Sequence, residues 1–327
     1  MGKTLLEVKD LNVCFNTDAG VVRAVDGASL TVEKGKVLGV VGESGSGKSM
    51  TSLAVMQLVP RPGGYVESGE ILFEGQDLLK LPEKEIRQIR GNQIGMIFQE
   101  PMSSLNPVYK IGFQLGEALK LHRGIKGREN RERCAQALEL VRVADPLKIL
   151  DEYPHRLSGG MRQRVMIAMA MLCNPKLLIA DEPTTALDVT IQAQILELIR
   201  GVKEEFSTAV MFITHDLGVI SEIADRVVVM YAGRVVEEAA VDELLAAPLH
   251  PYTAGLIQAI PENYSREKGF YTIPGRIFSG VNRPSGCSFA PRCAHRMEIC
   301  SREVPPLVEI GPNHKCRCFS RSFMEVK

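Results

Sequence analysis

Between residues 5 and 41, apolar and polar positions alternate over short stretches. Leu6 and Val8, then Leu30 and Val32, repeat at a period of two among Gly- and Asp-rich turns. That period predicts half-buried β-strands. Residues 37–41 form a short apolar run and predict a buried strand. The run leads into 42–49 and then a helix-compatible stretch through Leu58, closed by Pro60 and Pro62. Residues 70–73 predict a strand with a turn at Glu74-Gly75, and 94–98 predict another.

The period changes between Gln99 and Tyr153. Stretches 113–122 and 131–143 carry helical spacing, β-branched runs disappear, and Asp145-Pro146 and Tyr153-Pro154 punctuate the segment. This reads as a helical insertion. After it a helix over 159–172 meets a strand over 177–180, and a helix over 191–205 meets a strand over 210–214. Strands alternating with helices imply right-handed crossovers and a largely parallel sheet, hence an α/β fold. Residues 227–231 and 234–238 around Gly233 predict an edge hairpin, and beyond Pro251 the chain grows rich in Pro, Gly, Arg and finally Cys.

Lys+Arg and Asp+Glu both number 39, so the net charge is zero, and 45% of the residues are hydrophobic. Disorder needs the opposite balance. A protein that grips nucleic acid through its overall field is basic, so the expectation is no nucleic-acid partner. The 327 residues suit about two domains at roughly 150 residues each. The longest uncharged apolar runs, such as 165–173 and 206–214, fall short of the ~20 residues of a membrane helix. Residues 1–13 mix Lys, Glu and Asp with Leu and Val, unlike a signal peptide. A cytosolic globular protein is expected. Five of the eight cysteines crowd between Cys287 and Cys318. In a reducing compartment such crowding points to metal or catalysis more than to disulfides, and it marks the C-terminal end as a separate module.

Gly42-Glu43-Ser44-Gly45-Ser46-Gly47-Lys48-Ser49 fits G-x-x-x-x-G-K-[ST], between a strand and a helix as a phosphate-binding loop must be, with Met50 next in the candidate nucleotide set. Glycines permit turns that aim successive N–H groups at an anion, and the helix N-terminus adds partial positive charge. Lys48 can neutralise the β- and γ-phosphates, and the Ser49 hydroxyl can ligate Mg²⁺. Such a loop needs an acidic partner at the end of a neighbouring buried strand. Residues 177–181 form an apolar strand ending in Asp181, followed by Glu182. Asp181 suits Mg²⁺ through water, and Glu182 suits the general base that polarises the attacking water. Taken alone, Asp-Glu-Pro could equally be a polar strand exit.

Leu157-Ser158-Gly159-Gly160-Met161 stands just before the acidic strand at a predicted helix start, where small residues make an anion site or simply a cap. With this segment in place, the sequence resembles the ATP-binding-cassette (ABC) ATPases over about residues 5–255. In that resemblance Gln99 takes the Q-loop position, Ala186-Leu187-Asp188 the D-loop, His215 the switch histidine, and Phe15 the aromatic stacked on adenine. It implies a catalytic set of Lys48, Gln99, Glu182 and His215, and Mg²⁺ held by Ser49, Gln99 and Asp181. The family pairs two cassettes head to tail, so a second, identical or different cassette is implied. Ser158 and Gly160 are then expected to contact the γ-phosphate held by that partner. Met161 stands where Gln is usual. The fold implied is a P-loop NTPase of the ABC type over 1–255, with a β-rich N-terminal subdomain and a helical subdomain at about 100–157.

A closer resemblance is to the ATPase subunits of dipeptide, oligopeptide and nickel importers. Residues 101–107 after Gln99, His250-Pro251-Tyr252-Thr253 followed by 256–261, Ile273-Pro274-Gly275 and Asn282-Arg283-Pro284-Ser285-Gly286-Cys287 carry it. It implies uptake of di- or oligopeptides, or alternatively of nickel or another small solute. It also implies two integral membrane permease subunits, an extracytoplasmic substrate-binding protein met only indirectly, and a peripheral place on the cytoplasmic face of the cell (inner) membrane. Residues 101–107 are a plain turn or the surface that receives the permease's coupling helix. A soluble cassette in a non-transport complex is the alternative of another class. DNA-repair cassettes carry long coiled coils, translation cassettes carry the motifs twice, and exporter halves carry membrane helices; none of these is visible in the sequence. The remaining 256–327 form a small Cys-rich extension. Its cysteines lack the paired C-x₂-C knuckles of most zinc sites. Four thiolates suit a [4Fe–4S] cluster, and the family resemblance assigns Cys287, Cys293, Cys300 and Cys316 to it, leaving Cys318 spare. Reduced structural thiols, or Zn²⁺ held with His295 or His314, are the other readings.

Overall fold

The computed structural model describes residues 3–99, 104–185, 187–260, 271–277, 281 and 283–320. Ala186, Asn282, Pro261 and the Pro101–Ser103 part of the segment after Gln99 lie outside the described residues. The chain forms two compact units. One comprises Thr4–Val32, Val37–Leu79 and Phe212 onward, and the other comprises Glu33–Lys36 and Lys80–Met211.

The first unit begins with β1 (Thr4–Thr17), β2 (Gly20–Glu33), β3 (Val37–Val41), β4 (Gly64–Phe73) and β5 (Gln76–Asp77). Four of these form a sheet in the order β2-β1-β4-β5, with Leu6 opposite Phe73 and Phe15 opposite Gly64. Leu6 and Val8 are buried, and so are Leu11 and Val13, which sit in the opposite phase. A register shift between Lys9 and Asn12, with Asp10 at φ +44°, resets the alternation so that both halves of the strand bury their apolar residues.

The second unit holds β6 (Ile94–Ile97), β7 (Leu177–Asp181) and β8 (Ala209–Thr214), whose last residues enter the first unit. β6 is parallel to β7, with Ile94 opposite Leu177, and β8 flanks β7 on its other side. Every residue of β7 and β8 is buried, as strands covered on both faces require. The expected helical insertion is present as helices Ile111–His122 and Gly127–Leu140, with a short turn at Pro146–Ile149. The second of these ends before the sequence pattern does, because Arg142 turns to φ +57°. Helix Val189–Phe206 buries Ile195, Leu198, Ile199 and Val202 along one stripe and stops at Ser207, which takes φ +53°.

In the first unit, β3 pairs in parallel with β9 (Arg226–Tyr231), which turns into β10 (Arg234–Ala240). The hairpin exists, but it is not an edge. Two short strands from the C-terminal segment, β11 (Val308–Gly311) and β12 (His314–Cys316), continue the sheet, with Glu237 opposite Cys316. They span only four and three residues, too short for a periodic pattern to reveal them. No helix among the described residues is long and apolar enough to cross a membrane.

Candidate functional site

The phosphate loop belongs to the first unit, where the fully buried β3 delivers the chain into it. Gly42 and Gly47 take φ +153° and +101°. A Cβ on Gly42 would stand 2.2 Å from the Met230 carbonyl oxygen, and one on Gly47 would stand 2.6 Å from that of Ala24. Neither position admits a side chain. Gly47 caps helix Lys48–Val55, whose first turn has no acidic residue and no capping side chain, so its N-terminal field is left for a ligand. Lys48 is buried and donates from Nζ to the carbonyls of Gly42 (2.6 Å) and Glu43 (3.1 Å). The Ser46 hydroxyl is buried without a hydrogen-bond partner among the described residues. The left-handed glycines, the ammonium folded over the loop and the Ser46 hydroxyl fit a polyphosphate.

The acidic turn belongs to the second unit. Asp181 ends β7 and is buried, and Glu182 follows at φ +47°, a strained conformation for a residue with a Cβ. Gln99 Nε2 donates to Glu182 Oε2 at 3.1 Å, and the Thr185 hydroxyl donates to the same oxygen at 2.9 Å. The Pro183 carbonyl accepts from Gln163 Nε2 at 2.6 Å. Gln163 and Thr185 escape sequence reasoning, since one reads as a helix-interior polar residue and the other as a turn.

Gln163 lies on helix Gly159–Met171, which begins at the expected signature. Ser158 is its N-cap and accepts the Met161 N–H at 3.3 Å. Leu157 is buried behind it, and a Cβ on Gly160 would press on Ile191 at 3.2 Å. Asp188 caps helix Val189–Phe206 by accepting the Ile191 N–H at 2.9 Å. Both motifs therefore sit at helix starts in the same unit as Gln99, Asp181 and Glu182.

His215 and Phe15 belong to the first unit with Ser49 and Met50. Thr214 is buried at the end of β8, His215 is exposed just beyond it, and Asp216 caps the next helix through the N–H groups of Gly218 and Val219. Phe15 is half-buried, with its ring against Gly64 across the strand pair.

All cysteines among the described residues are free. The Cys287 N–H donates to the Cys300 carbonyl at 2.8 Å. Burial raises the thiol pKa of Cys287, Cys293 and Cys316, and pushes Cys318 up to about 11, with neighbouring thiols adding to each shift. Among the described residues no group of three or more His, Cys, Asp or Glu side chains is gathered to hold a metal ion. Both ring nitrogens of His314 face carboxylates, Glu237 at 2.8 Å and Glu243 at 3.2 Å.

Residues 25–185 match the family model described as "ABC transporter", and residues 236–300 match "Oligopeptide/dipeptide transporter, C-terminal region". The chain is 52% identical over 311 residues to the oligopeptide transport ATP-binding protein OppD of Bacillus subtilis, covering 95% of this chain and 87% of that protein. It is 51% identical over 316 residues to AppD of the same organism, an oligopeptide transport ATP-binding protein, covering 97% and 96%. Among solved structures, the dimeric ABC transporter cassette MJ0796 superposes with a TM-score of 0.65 at 27% identity, over 72% of this chain and 99% of that one. The same cassette has been seen as a post-hydrolysis dimer with ADP and Pi.

Proposed function

The chain belongs to the ABC transporter ATPase family, and from that premise we propose that it binds and hydrolyses ATP to power peptide uptake through membrane-embedded partners. The observation that carries the chemistry is Glu182, held in a strained turn with one carboxylate oxygen doubly hydrogen-bonded. In this reading Glu182 takes a proton from water as its oxygen attacks the γ-phosphorus, and ADP leaves. Lys48 neutralises charge on the β- and γ-phosphates, while the loop 42–49, with Met50 and Phe15, binds the nucleotide. Mg²⁺ supplies charge neutralisation when bound, and Ser49, Asp181 and Gln99 are the residues to hold it. His215 completes the catalytic set. Residues 157–161 and Asp188 face the ATP of a second cassette, so each active site is shared between two chains.

The match of residues 236–300 to a peptide-transporter region favours peptides over nickel, and a transporter over a non-transport complex. Two integral permeases are the expected membrane partners, with a substrate-binding protein reached through them, and the chain works from the cytoplasmic face. Val108, Tyr109 and Phe113 are exposed beyond the Q-loop, with the two rings stacked at 4.8 Å, and support a permease contact there. We keep 1–255 as the cassette, with its helical part at about 100–157, and 256–327 as a small C-terminal extension.

For that extension we propose a [4Fe–4S] cluster on Cys287, Cys293, Cys300 and Cys316. The spacing of these four cysteines, which lacks paired C-x₂-C knuckles, and the burial of Cys300 and Cys316 support this reading.

Reconstitution of the chain with its permeases and second cassette in vesicles tests the main reading. Uptake of labelled oligopeptide should require ATP and stop in the Glu182→Gln variant. ATP hydrolysis with no peptide uptake would overturn it.

A further inference from the structure

The segment matching the C-terminal family region holds a residue that acts on the phosphate loop. Arg292 is 4% exposed at its side chain and donates from Nη1 to both Glu43 carboxylate oxygens, each at 3.0 Å. Its other nitrogens are fixed: Nε donates to the Pro274 carbonyl at 2.8 Å and Nη2 to that of Ile273 at 3.2 Å. The guanidinium lies 5.8 Å from the ring centre of Tyr231 and 6.0 Å from that of Phe289, in cation–π range. Tyr231 packs edge-on against both Phe289 and Tyr252, and Phe289 meets Tyr252 at a tilt, so the arginine rests on an aromatic floor shared by β9 and the C-terminal segment.

Glu43 is the first variable residue of the phosphate-binding motif, and it is held at three points. Arg292 grips its carboxylate, the fully buried Tyr252 accepts its N–H at 2.8 Å, and Lys48 donates to its carbonyl at 3.1 Å. The guanidinium therefore reaches the loop lysine through a single residue. A charge-assisted bond from a side chain anchored by two carbonyls resists displacement more than a surface ion pair does.

We propose that Arg292 is a positioning residue for nucleotide binding. Through Glu43 it sets the path of the phosphate loop and the reach of Lys48, and so makes ATP affinity depend on the C-terminal segment. This rests on the ATPase reading of the loop. Because the grip acts on the loop rather than on the reacting atoms, its loss weakens ATP binding more than it slows turnover.

The test uses the full chain in its assembled transporter, below each variant's melting temperature. ATP dissociation constants and steady-state hydrolysis are measured for wild type, Arg292→Ala, Arg292→Lys, Glu43→Gln and the double variant Arg292→Ala with Glu43→Gln. Arg292→Ala should raise Kd and KM for ATP by about tenfold, the scale of a charged hydrogen bond, with kcat little changed. Arg292→Lys should recover part of the loss. The double variant should bind no worse than the weaker single one, since both remove the same contact. Unchanged Kd and KM in Arg292→Ala, or losses that simply add in the double variant, overturn the proposal. If Arg292→Ala does not fold, Glu43→Gln decides: weakened binding supports the proposal and unchanged binding overturns it. Wild-type protein that binds no ATP would instead overturn the ATPase reading itself.

Discussion

Gln99 and Glu182 are joined by a 3.1 Å hydrogen bond from the amide Nε2 to the carboxylate Oε2, which also accepts the Thr185 hydroxyl. Two donors on one oxygen fix the plane of the carboxylate. A general base gains from being aimed before its substrate arrives, since reorientation then adds nothing to the barrier.

Replacing Glu182 with Gln keeps the shape of the side chain and removes the oxygen that takes the proton. Hydrolysis should fall by about 10²–10⁴-fold, the usual worth of a general base, while ATP still binds. The trapped nucleotide should hold two cassettes together, visible as a dimer by size-exclusion chromatography. Turnover close to wild type would remove Glu182 from this role.

Gln163 tests whether the signature helix supports the acidic turn. Its amide donates to the Pro183 carbonyl, and both are buried. Gln163→Leu leaves that carbonyl unpaired, which should cost about 1–3 kcal/mol of stability in denaturant melts and lower kcat by disturbing Glu182. A variant with unchanged kcat would show the bond to be a packing detail.

The two halves of the site were legible to different depths. The phosphate loop is contiguous, and its chemistry follows from residue types at fixed offsets, so Gly42, Gly47 and Lys48 could be read directly. β7 and β8 announced themselves as apolar runs because strands covered on both faces are buried throughout. Gln163, Thr185 and the Arg292–Glu43 contact were not legible, because each depends on which distant carbonyl or carboxylate the fold brings near. β12 was hidden for a related reason: its pairing with β10 joins Glu237 to Cys316, and neither residue signals a strand. The phase reset in β1 came from a backbone irregularity at Asp10 that hydrophobicity does not encode.

Ser158 separates a cap from a ligand. As an N-cap accepting the Met161 N–H, its replacement by Ala should cost about 1 kcal/mol of stability. If it also meets the partner's γ-phosphate, ATPase activity of the paired cassettes should fall far more than a slightly less stable helix explains. Nucleotide binding to the isolated chain should stay intact. Equal, small losses in stability and activity would leave Ser158 as a cap alone.

The cysteine assignment predicts a coloured protein. Anaerobic purification should give a brown chain with broad visible absorption and about four irons and four sulfides per chain. Ser at Cys287, Cys293, Cys300 or Cys316 should each bleach it, while Ser at Cys318 should not. Because burial raises four of the five thiol pKa values, the metal-free thiols hold their protons, and cluster assembly should release protons and weaken in acid. A colourless protein with stoichiometric zinc would defeat the cluster.

Glu237 couples two histidines whose titrations oppose each other. It is fully buried, accepts the N–H groups of Leu249 (2.6 Å) and His250 (3.0 Å), and meets His314 at 2.8 Å. At His314 burial disfavours the imidazolium, but Glu237 and Glu243 favour it and prevail, so its pKa lies above the ordinary 6.5. At His250 burial dominates and Glu237 only partly offsets it, leaving a pKa of about 4. A raised folded pKa means that the His314 contribution is fully present below about pH 6.5 and is lost as pH climbs through the folded value. A depressed folded pKa means the reverse for His250. Between about pH 6.5 and 4 the unfolded chain binds a proton that the folded chain refuses, so stability falls with acid. Thermal melts from about pH 4 to well above pH 6.5 should show stability declining on both sides. His314→Gln should flatten the alkaline decline alone. His250→Asn, which can still accept the Tyr252 N–H that the histidine Nδ1 now accepts at 3.0 Å, should flatten the acid one alone. Parallel alkaline slopes in wild type and His314→Gln would mean that the Glu237–His314 pair does not carry the charge its geometry implies.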